Sequence, residues 1–210
     1  MKIQSVLELK VHEIGPLLEA YNWEDRNFYS AWLSQTYHFV KWTTRFLSLA
    51  AASAKLDEEN HLHRYYIKHL PEELGHEILI LNDLKTLKKN LSPILKSTEN
   101  FVNHQKRTIL EEGSISHLGY MLYLENLSIT VGAHVLKRLR NSYPLAQINF
   151  LNGHSEDDIE HVSSSLNFVR RLSNEEQIKI EKSIEETAFG YLKIIENLND
   201  HLQNHRKLIA

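Results

Sequence analysis

The sequence predicts an all-α protein, a single helical domain of residues 1–210 built as a bundle of about seven helices. Apolar residues recur at helical intervals along nearly the whole chain. The chain has only 7 Gly and 4 Pro in 210 residues, so the helix-breaking residues can be interpreted as boundaries. No linker, internal repeat or low-complexity tract interrupts this pattern, and the length suits one domain with a substantial core.

The first half of the chain predicts three helices. The first covers residues 6–18 and is bent near Gly15 and Pro16. The second is long, about 23–54. The third, about 57–87, can be capped by Asp57, and Pro71 inside it predicts a kink or a one-turn break because proline cannot donate a backbone hydrogen bond.

Two more helices are predicted between residues 92 and 140. Ser92 followed by Pro93 has the pattern of an N-cap and a first-turn proline, and Gly113 ends that fourth helix. Ser114 then caps a fifth helix that continues to about residue 140.

The last two helices follow a short apolar connector at 148–151, which the pattern does not favour as a strand. The sixth helix ends near residue 172. Ser173 opens the last helix, and Glu176 three residues later completes a capping box.

Composition excludes several classes of function. The formal net charge is -3 with mixed signs, so no broad basic surface favours nucleic acid or an acidic membrane. Cysteine is absent, which removes disulfides and thiolate ligands, so any metal must use nitrogen and oxygen donors. The longest strongly apolar stretch, 46–54, is too short to span a bilayer, and charges interrupt residues 1–10. We therefore expect a cytoplasmic protein without a membrane partner.

The most informative motif is the H-x3-D-x2-H run formed by His154, Asp158 and His161. In a helix these steps place the three side chains on one face. Two imidazoles and a carboxylate on one face are suited to a first-row metal ion.

A second triplet repeats the spacing upstream with His69, Glu73 and His76. Because the chain has 13 histidines, either triplet alone could also be a solvated helix face. The apolar residues beside both triplets favour helices with a buried side, and the two triplets together indicate a dinuclear centre.

A dinuclear centre also needs a carboxylate from another helix, and Glu125 fits that requirement. It lies in the apolar run 118–129, where an unpaired carboxylate would have a large desolvation cost. The alternative is that Glu125 points to solvent from a two-faced helix.

Together these motifs resemble the heme-oxygenase-like diiron oxidases and oxygenases, which are related in fold to thiaminase II and pyrroloquinoline-quinone synthase. The resemblance rests on E-E-x-G-H at 72–76, the isolated Glu125, and F-L-x-x-H-x3-D-x2-H-V at 150–162. It covers residues 32–172. It implies two iron ions per chain, with manganese as an alternative metal, and O2 and a small-molecule substrate as partners. The implied metal ligands are Glu73, His76, Glu125, His154, Asp158 and His161.

The reactions implied by this resemblance include decarboxylation of fatty acids, N-oxygenation of amines and carbon–carbon cleavage of amino acids. His69 stands seven residues before His76, a position where some family members carry the carboxylate ligand. It could therefore be an additional ligand, a partner that holds Glu73, or a helix-surface residue.

Tyrosines on apolar helices are the predicted catalytic residues beyond the ligands. We select Tyr37 and Tyr123, with Tyr120 and His38 as further candidates to face the cavity. A tyrosine near an oxygen-activating iron pair could donate a hydrogen bond or an electron, although aromatics at helical spacing are more often core residues.

Two other classes of function remain as alternatives. A heme oxygenase could use His12 as the axial ligand, but residues 132–136 lack the repeated glycines that let a helix approach a porphyrin. A thiaminase-like enzyme would need a cysteine nucleophile. A helical bundle could also store or sense metal or bind a protein partner, and its surface could support a homodimer.

Overall fold

The structure, a computed structural model, describes the backbone of residues 2–209 and the side chains of residues 2–153 and 161–203. The side chains of His154 and Asp158 lie outside this part. The described backbone contains no strand, which confirms the all-α prediction. Its α-helices are α1 Lys2–Ala20, α2 Arg26–Val40, α3 Thr43–Ser53, α4 Asn60–His69, α5 His76–Thr86, α6 Lys96–Glu112, α7 His117–Leu127, α8 Ala133–Ser142, α9 Asn149–Val169 and α10 Asn174–Ile209.

Three of the predicted helices are interrupted, so the described chain has more than seven. The predicted helix 23–54 breaks at Lys41 and Trp42, where the Trp42 N–H bonds to the Phe39 carbonyl three residues back. The predicted helix 114–140 begins with a 3-10 turn at Ser114–Ser116 and changes to a π-helical segment at Ser128–Gly132. Hydrophobic periodicity does not detect such local changes because the apolar pattern continues through them.

The break predicted at Pro71 is confirmed. Helix α4 ends at His69 and α5 begins at His76. Between them Gly75 has φ +97°, a left-handed conformation that glycine adopts without a steric penalty. The spacing of His69, Glu73 and His76 therefore does not place them on one helical face, because Glu73 lies in the turn between two helices.

The start of α6 also differs from the prediction. Ser92 and Pro93 belong to an extended segment and do not cap a helix. The Ser92 N–H donates to the Ser34 hydroxyl at 3.1 Å, and the Gln35 amide donates to the Pro93 carbonyl at 3.0 Å. Helix α2 thus holds this segment through side chains, and α6 starts at Lys96. Its predicted end at Gly113 is confirmed.

The predicted connector at 148–151 is wrong, because Asn149 already begins α9. The predicted capping box at α10 is confirmed: the Ser173 N–H donates to the Glu176 carboxylate at 2.8 Å, and the Glu176 N–H donates to the Ser173 hydroxyl at 3.3 Å. This exchange satisfies donors that a helix start otherwise leaves unpaired.

Helix α7 is the centre of the bundle. It packs against α1, α3, α6, α9 and α10. Gly119 lets α10 come close, because a Cβ atom there would lie 2.5 Å from the Ile180 carbonyl oxygen. A helix buried nearly all round matches its apolar sequence, and it places Glu125 in the interior.

Within the described residues, no helix is both long enough and apolar enough to cross a membrane.

Candidate metal centre

Three elements converge where α7 ends: the turn between α4 and α5, α7 itself, and α9. Glu73, Glu125 and His161 each offer one ligand atom, and these atoms lie within 4.8 Å of one another. All three residues are largely buried: Glu125 is 8% exposed, and the side chains of Glu73 and His161 are 11% and 14% exposed. We call these residues the inner group.

The inner group has the donors and spacing that a divalent first-row ion needs. Such an ion lies about 2.0–2.2 Å from nitrogen and oxygen ligands, so its donors are about 3–4 Å apart. Two carboxylates this close in a buried site repel each other unless a cation or a proton lies between them. Small side-chain rotations would be enough to bring these donors around one ion.

His76 lies at the edge of the inner group. Its Nδ1 atom is 3.0 Å from Glu73 Oε2, and its side chain is 16% exposed. The first residue of α5 is therefore close enough to act with Glu73, as the E-x-x-H spacing predicts. Because His76 opens the helix, the turn before it positions both residues.

The remaining predicted ligands stand on α9. The backbone of α9 is helical from Asn149 to Val169, which confirms the helix predicted for the triplet of His154, Asp158 and His161. The side chains of His154 and Asp158 lie outside the described residues, so only the third member can be placed in the inner group.

His69 is buried and lies beside the inner group. Its Nδ1 atom is 2.8 Å from Glu72 Oε2, and the residue is 3% exposed, so it is not a helix-surface residue. Burial lowers the pKa of His69, while the Glu72 carboxylate opposes that shift. Glu72 Oε2 also lies 3.5 Å from His161 Nε2. Glu72 is not among the predicted ligands, although it follows His69 by three residues.

An apolar cavity of about 130 Å³ reaches the inner group. Glu73 and Glu125 are part of its wall. Most of the remaining wall is aromatic or aliphatic, including Trp23, Trp32, Phe39, Val40, Met121 and Val135. A cavity with apolar walls and a few converging polar groups is typical of a small-molecule site.

Tyr120 and Tyr191 are the tyrosines that line this cavity among the described residues; Tyr37 and Tyr123 do not. Tyr123 is fully buried, and Tyr37 is half-buried beside Lys41, whose Nζ lies 5.3 Å from the ring centroid. Burial raises the pKa of Tyr120. The Trp32 indole N–H donates to the Tyr191 hydroxyl at 3.2 Å.

The histidines considered for other roles lie apart from the cavity wall. His12 is exposed on α1. The His38 imidazole makes a 2.8 Å hydrogen bond with the Ser92 carbonyl. His134 pairs with Glu19 at 2.8 Å on the surface. None of the three histidines lines the cavity.

The π-helical segment Ser128–Gly132 starts three residues after Glu125 and contributes Ser128, Val131 and Gly132 to the cavity wall. Such segments are rare and occur frequently at functional sites. Because the segment widens the helix where the cavity lies, it shapes the space beside the candidate ligands.

Comparison of the sequence with known protein families places the chain in one of them. Residues 30–191 match the sequence model of a family described as iron-containing redox enzyme. No curated protein matches the chain.

Solved structures share the fold at low sequence identity. A Shewanella denitrificans domain of unknown function with a heme oxygenase-like fold has a TM-score of 0.80 and 19% identity, over 98% of this chain and 90% of that one. A TenA homologue from Pseudomonas syringae has a TM-score of 0.77 and 11% identity, over 95% and 91%. A TenA homologue from Pyrococcus furiosus has a TM-score of 0.71 and 14% identity, over 92% and 98%. The chain therefore has a heme oxygenase-like fold.

Proposed function

Because the chain belongs to the iron-containing redox enzyme family, we propose that it is a non-heme diiron enzyme that uses O2 to oxidise a small organic substrate. The observation that carries this proposal is the convergence of Glu73, Glu125 and His161, two of which, Glu73 and Glu125, line an apolar cavity. A nitrogen and oxygen donor set suits iron or manganese.

The proposed ligands come from three places in the fold. Glu73 lies in the turn before α5 and His76 opens α5, Glu125 stands near the end of α7, and His154, Asp158 and His161 stand on α9. Bound iron would supply the redox steps that O2 chemistry requires. The carboxylates of the chain offset the positive charge of the metals, which favours higher oxidation states.

The cavity residues would position the substrate and exclude water. Burial keeps the Tyr120 hydroxyl protonated at neutral pH because it raises the pKa of this group, so the hydroxyl can donate a hydrogen bond inside the cavity. Tyr37 and Tyr123, which do not line the wall, would act from outside it, as electron donors to the site.

The wall favours a substrate with an apolar body. Among the described lining residues, only Glu73 and Glu125 are acidic and none is basic. Once those two carboxylates hold metal, no charged side chain remains among the described wall residues to pair with a substrate ammonium or carboxylate. A volume of about 130 Å³ is close to that of a cavity that holds benzene. We therefore place the polar end of the substrate at the metals and an apolar part in the cavity.

The heme alternative finds no support in this arrangement. His12 is exposed on α1 and does not line the cavity. A porphyrin is also far larger than a cavity of about 130 Å³. The apolar wall with two carboxylates is better suited to metal ions bound directly by side chains.

The experiment that tests the proposal measures O2 uptake by protein loaded anaerobically with Fe(II). Fatty acids, amines and amino acids are added separately, and products are identified by mass spectrometry. We expect one substrate class to give coupled O2 uptake and product, and Glu125→Gln to abolish both. Glu77→Gln, on the first turn of α5, is the control. Equal O2 uptake in the wild type and Glu125→Gln would contradict the proposal. Iron binding without any O2 reaction would favour storage or sensing.

A further inference from the structure

A second set of donors lies beside the inner group. His69, Glu72 and His161 also offer ligand atoms within 4.8 Å of one another. We call these residues the outer group. His161 is common to both groups, so one imidazole on α9 stands between Glu72 of the outer group and the two carboxylates of the inner group.

The distances in the outer group are close to those between the donors of a bound metal ion. Glu72 Oε2 is 2.8 Å from His69 Nδ1 and 3.5 Å from His161 Nε2. Donors at about 90–110° around an ion, each about 2.1 Å from it, are separated by about 3.0–3.4 Å. The outer group therefore needs little rearrangement to bind an ion. If Glu72 only formed a hydrogen bond with His69, the imidazole of His161 would not be needed beside the same Oε2 atom of Glu72.

Packing fixes the orientation of His69. The ring of Tyr65 lies 4.5 Å from the His69 ring, measured between centroids. Tyr65 is itself held by Phe168, whose ring centroid is 4.5 Å away, and by a hydrogen bond with the Ser165 hydroxyl. A ligand ring held by its neighbours loses little side-chain freedom when a metal binds, and such supporting contacts are common around metal ligands.

The two groups differ in their access to solvent. The Glu72 side chain is 37% exposed, whereas Glu125 is 8% exposed. An ion from solution therefore reaches Glu72 more readily than Glu125. His161 would be a ligand of the bound ion in either group.

We propose that the outer group binds a divalent first-row metal ion at a position distinct from the inner group. The inference rests on the proposed function and extends its metal site: the inner group and the outer group each hold one of the two ions, and both use His161. It assigns a ligand role to His69 and to Glu72. The metal ions expected to bind are Fe(II), Mn(II), Co(II) or Zn(II), which accept imidazole and carboxylate donors.

The test uses Co(II) as the probe and the full chain with the inner carboxylates neutralised, Glu73→Gln with Glu125→Gln. Anaerobic titration follows the visible absorption of bound Co(II). We expect the double variant to retain one Co(II) per chain. Adding His69→Asn or Glu72→Gln to it should weaken Co(II) binding about tenfold or more. His61→Asn on α4 and Glu77→Gln on α5, outside both groups, are the matched controls and should leave binding unchanged. Circular dichroism and thermal unfolding check that each variant folds.

Two results would overturn the proposal. One is a folded background variant that binds no Co(II). The other is Co(II) binding that is the same with and without His69 and Glu72. Neither result depends on O2 uptake by iron-loaded wild-type protein. A failure of the outer group and a failure of the proposed function are therefore distinguishable.

Discussion

Asp83 Oδ2 accepts a hydrogen bond from the backbone N–H of Phe150 at 2.9 Å. Its other oxygen accepts from the backbone and the side chain of Asn149, each at 3.0 Å. A fully buried carboxylate on α5 thus caps the start of α9, where N–H groups lack helical partners and the helix dipole favours negative charge. Because α5 opens with His76 and α9 carries His161, this contact sets the positions of two candidate ligands.

Replacing Asp83 with asparagine should destabilise the protein. The amide has one acceptor oxygen, so at least one buried N–H group of α9 loses its partner, at a cost of about 1–3 kcal/mol. Asp25→Asn is the matched control, because Asp25 is only half-buried and caps α2 by accepting from the Asn27 N–H at 2.7 Å. Asparagine is as good an exposed cap as aspartate. Urea unfolding should show a clear loss of unfolding free energy for Asp83→Asn and not for Asp25→Asn. Equal losses in the two variants would mean that the buried cap has no special role.

Gly119→Ala should loosen the packing of α7 on α10. An added Cβ would lie 2.5 Å from the Ile180 carbonyl oxygen and 2.6 Å from Ser183 Cβ, so the backbones must separate. Overpacking of this kind costs about 1–3 kcal/mol. Gly15→Ala is the control, since its Cβ would make only an ordinary 3.5 Å contact with Val131. We expect a lower melting temperature for Gly119→Ala and not for Gly15→Ala. The reverse order would contradict the close approach of these helices.

Stability should fall in acid partly through His117. This residue is fully buried, its Nδ1 atom is 2.7 Å from the Gln105 amide nitrogen, and burial lowers its pKa from 6.5 to about 3. The folded state therefore keeps His117 neutral, while the unfolded chain binds a proton below about pH 6.5. The contribution of neutral His117 to the free energy of unfolding is present above about pH 6.5 and is lost progressively as the pH falls toward 3.

The measurement compares the free energy of unfolding at pH 7 and pH 5 for the wild type and His117→Gln. One pKa unit corresponds to about 1.4 kcal/mol, so the wild type should lose about 2 kcal/mol more than the variant over this range. His134→Gln removes a surface histidine and should lose as much unfolding free energy between pH 7 and pH 5 as the wild type. An identical loss in wild type and His117→Gln would show that other groups cause the acid dependence.

Val135→Phe should block substrate without removing metal. Val135 lines the cavity from α8, which carries none of the candidate ligands, and a phenyl ring there would occupy much of the cavity. We expect product formation to fall about tenfold or more, with unchanged iron content. Leu110→Phe, at a position 58% exposed, serves as the control. Full turnover in Val135→Phe would place the substrate outside this cavity.

The residues that sequence alone could predict are those whose role follows from local pattern. Glu125 is conspicuous because a carboxylate in an apolar run needs a partner, and it is indeed 8% exposed. Pro71 and the Ser173 capping box are local signals, and both are confirmed. The spacing around His161 correctly predicts a helix with one side buried.

Features that depend on distant residues were not predictable. Asp83 caps α9 from a position 66 residues earlier in the sequence, and Gln35 holds the segment before α6 from 58 residues earlier. No local pattern distinguishes these polar side chains from solvated ones. Glu72 could have been selected from its spacing to His69, but its distance to His161 depends on the packing of α9 against the turn before α5.

The most direct test of the central claim is iron content after anaerobic reconstitution, measured together with the Mössbauer spectrum of the bound iron. A diiron centre predicts about two irons per chain, and replacement of Glu125 or Asp158 by alanine should remove tight binding of the pair. A heme Soret band, or at most one iron per chain that is unaffected by Glu125→Ala, would contradict it.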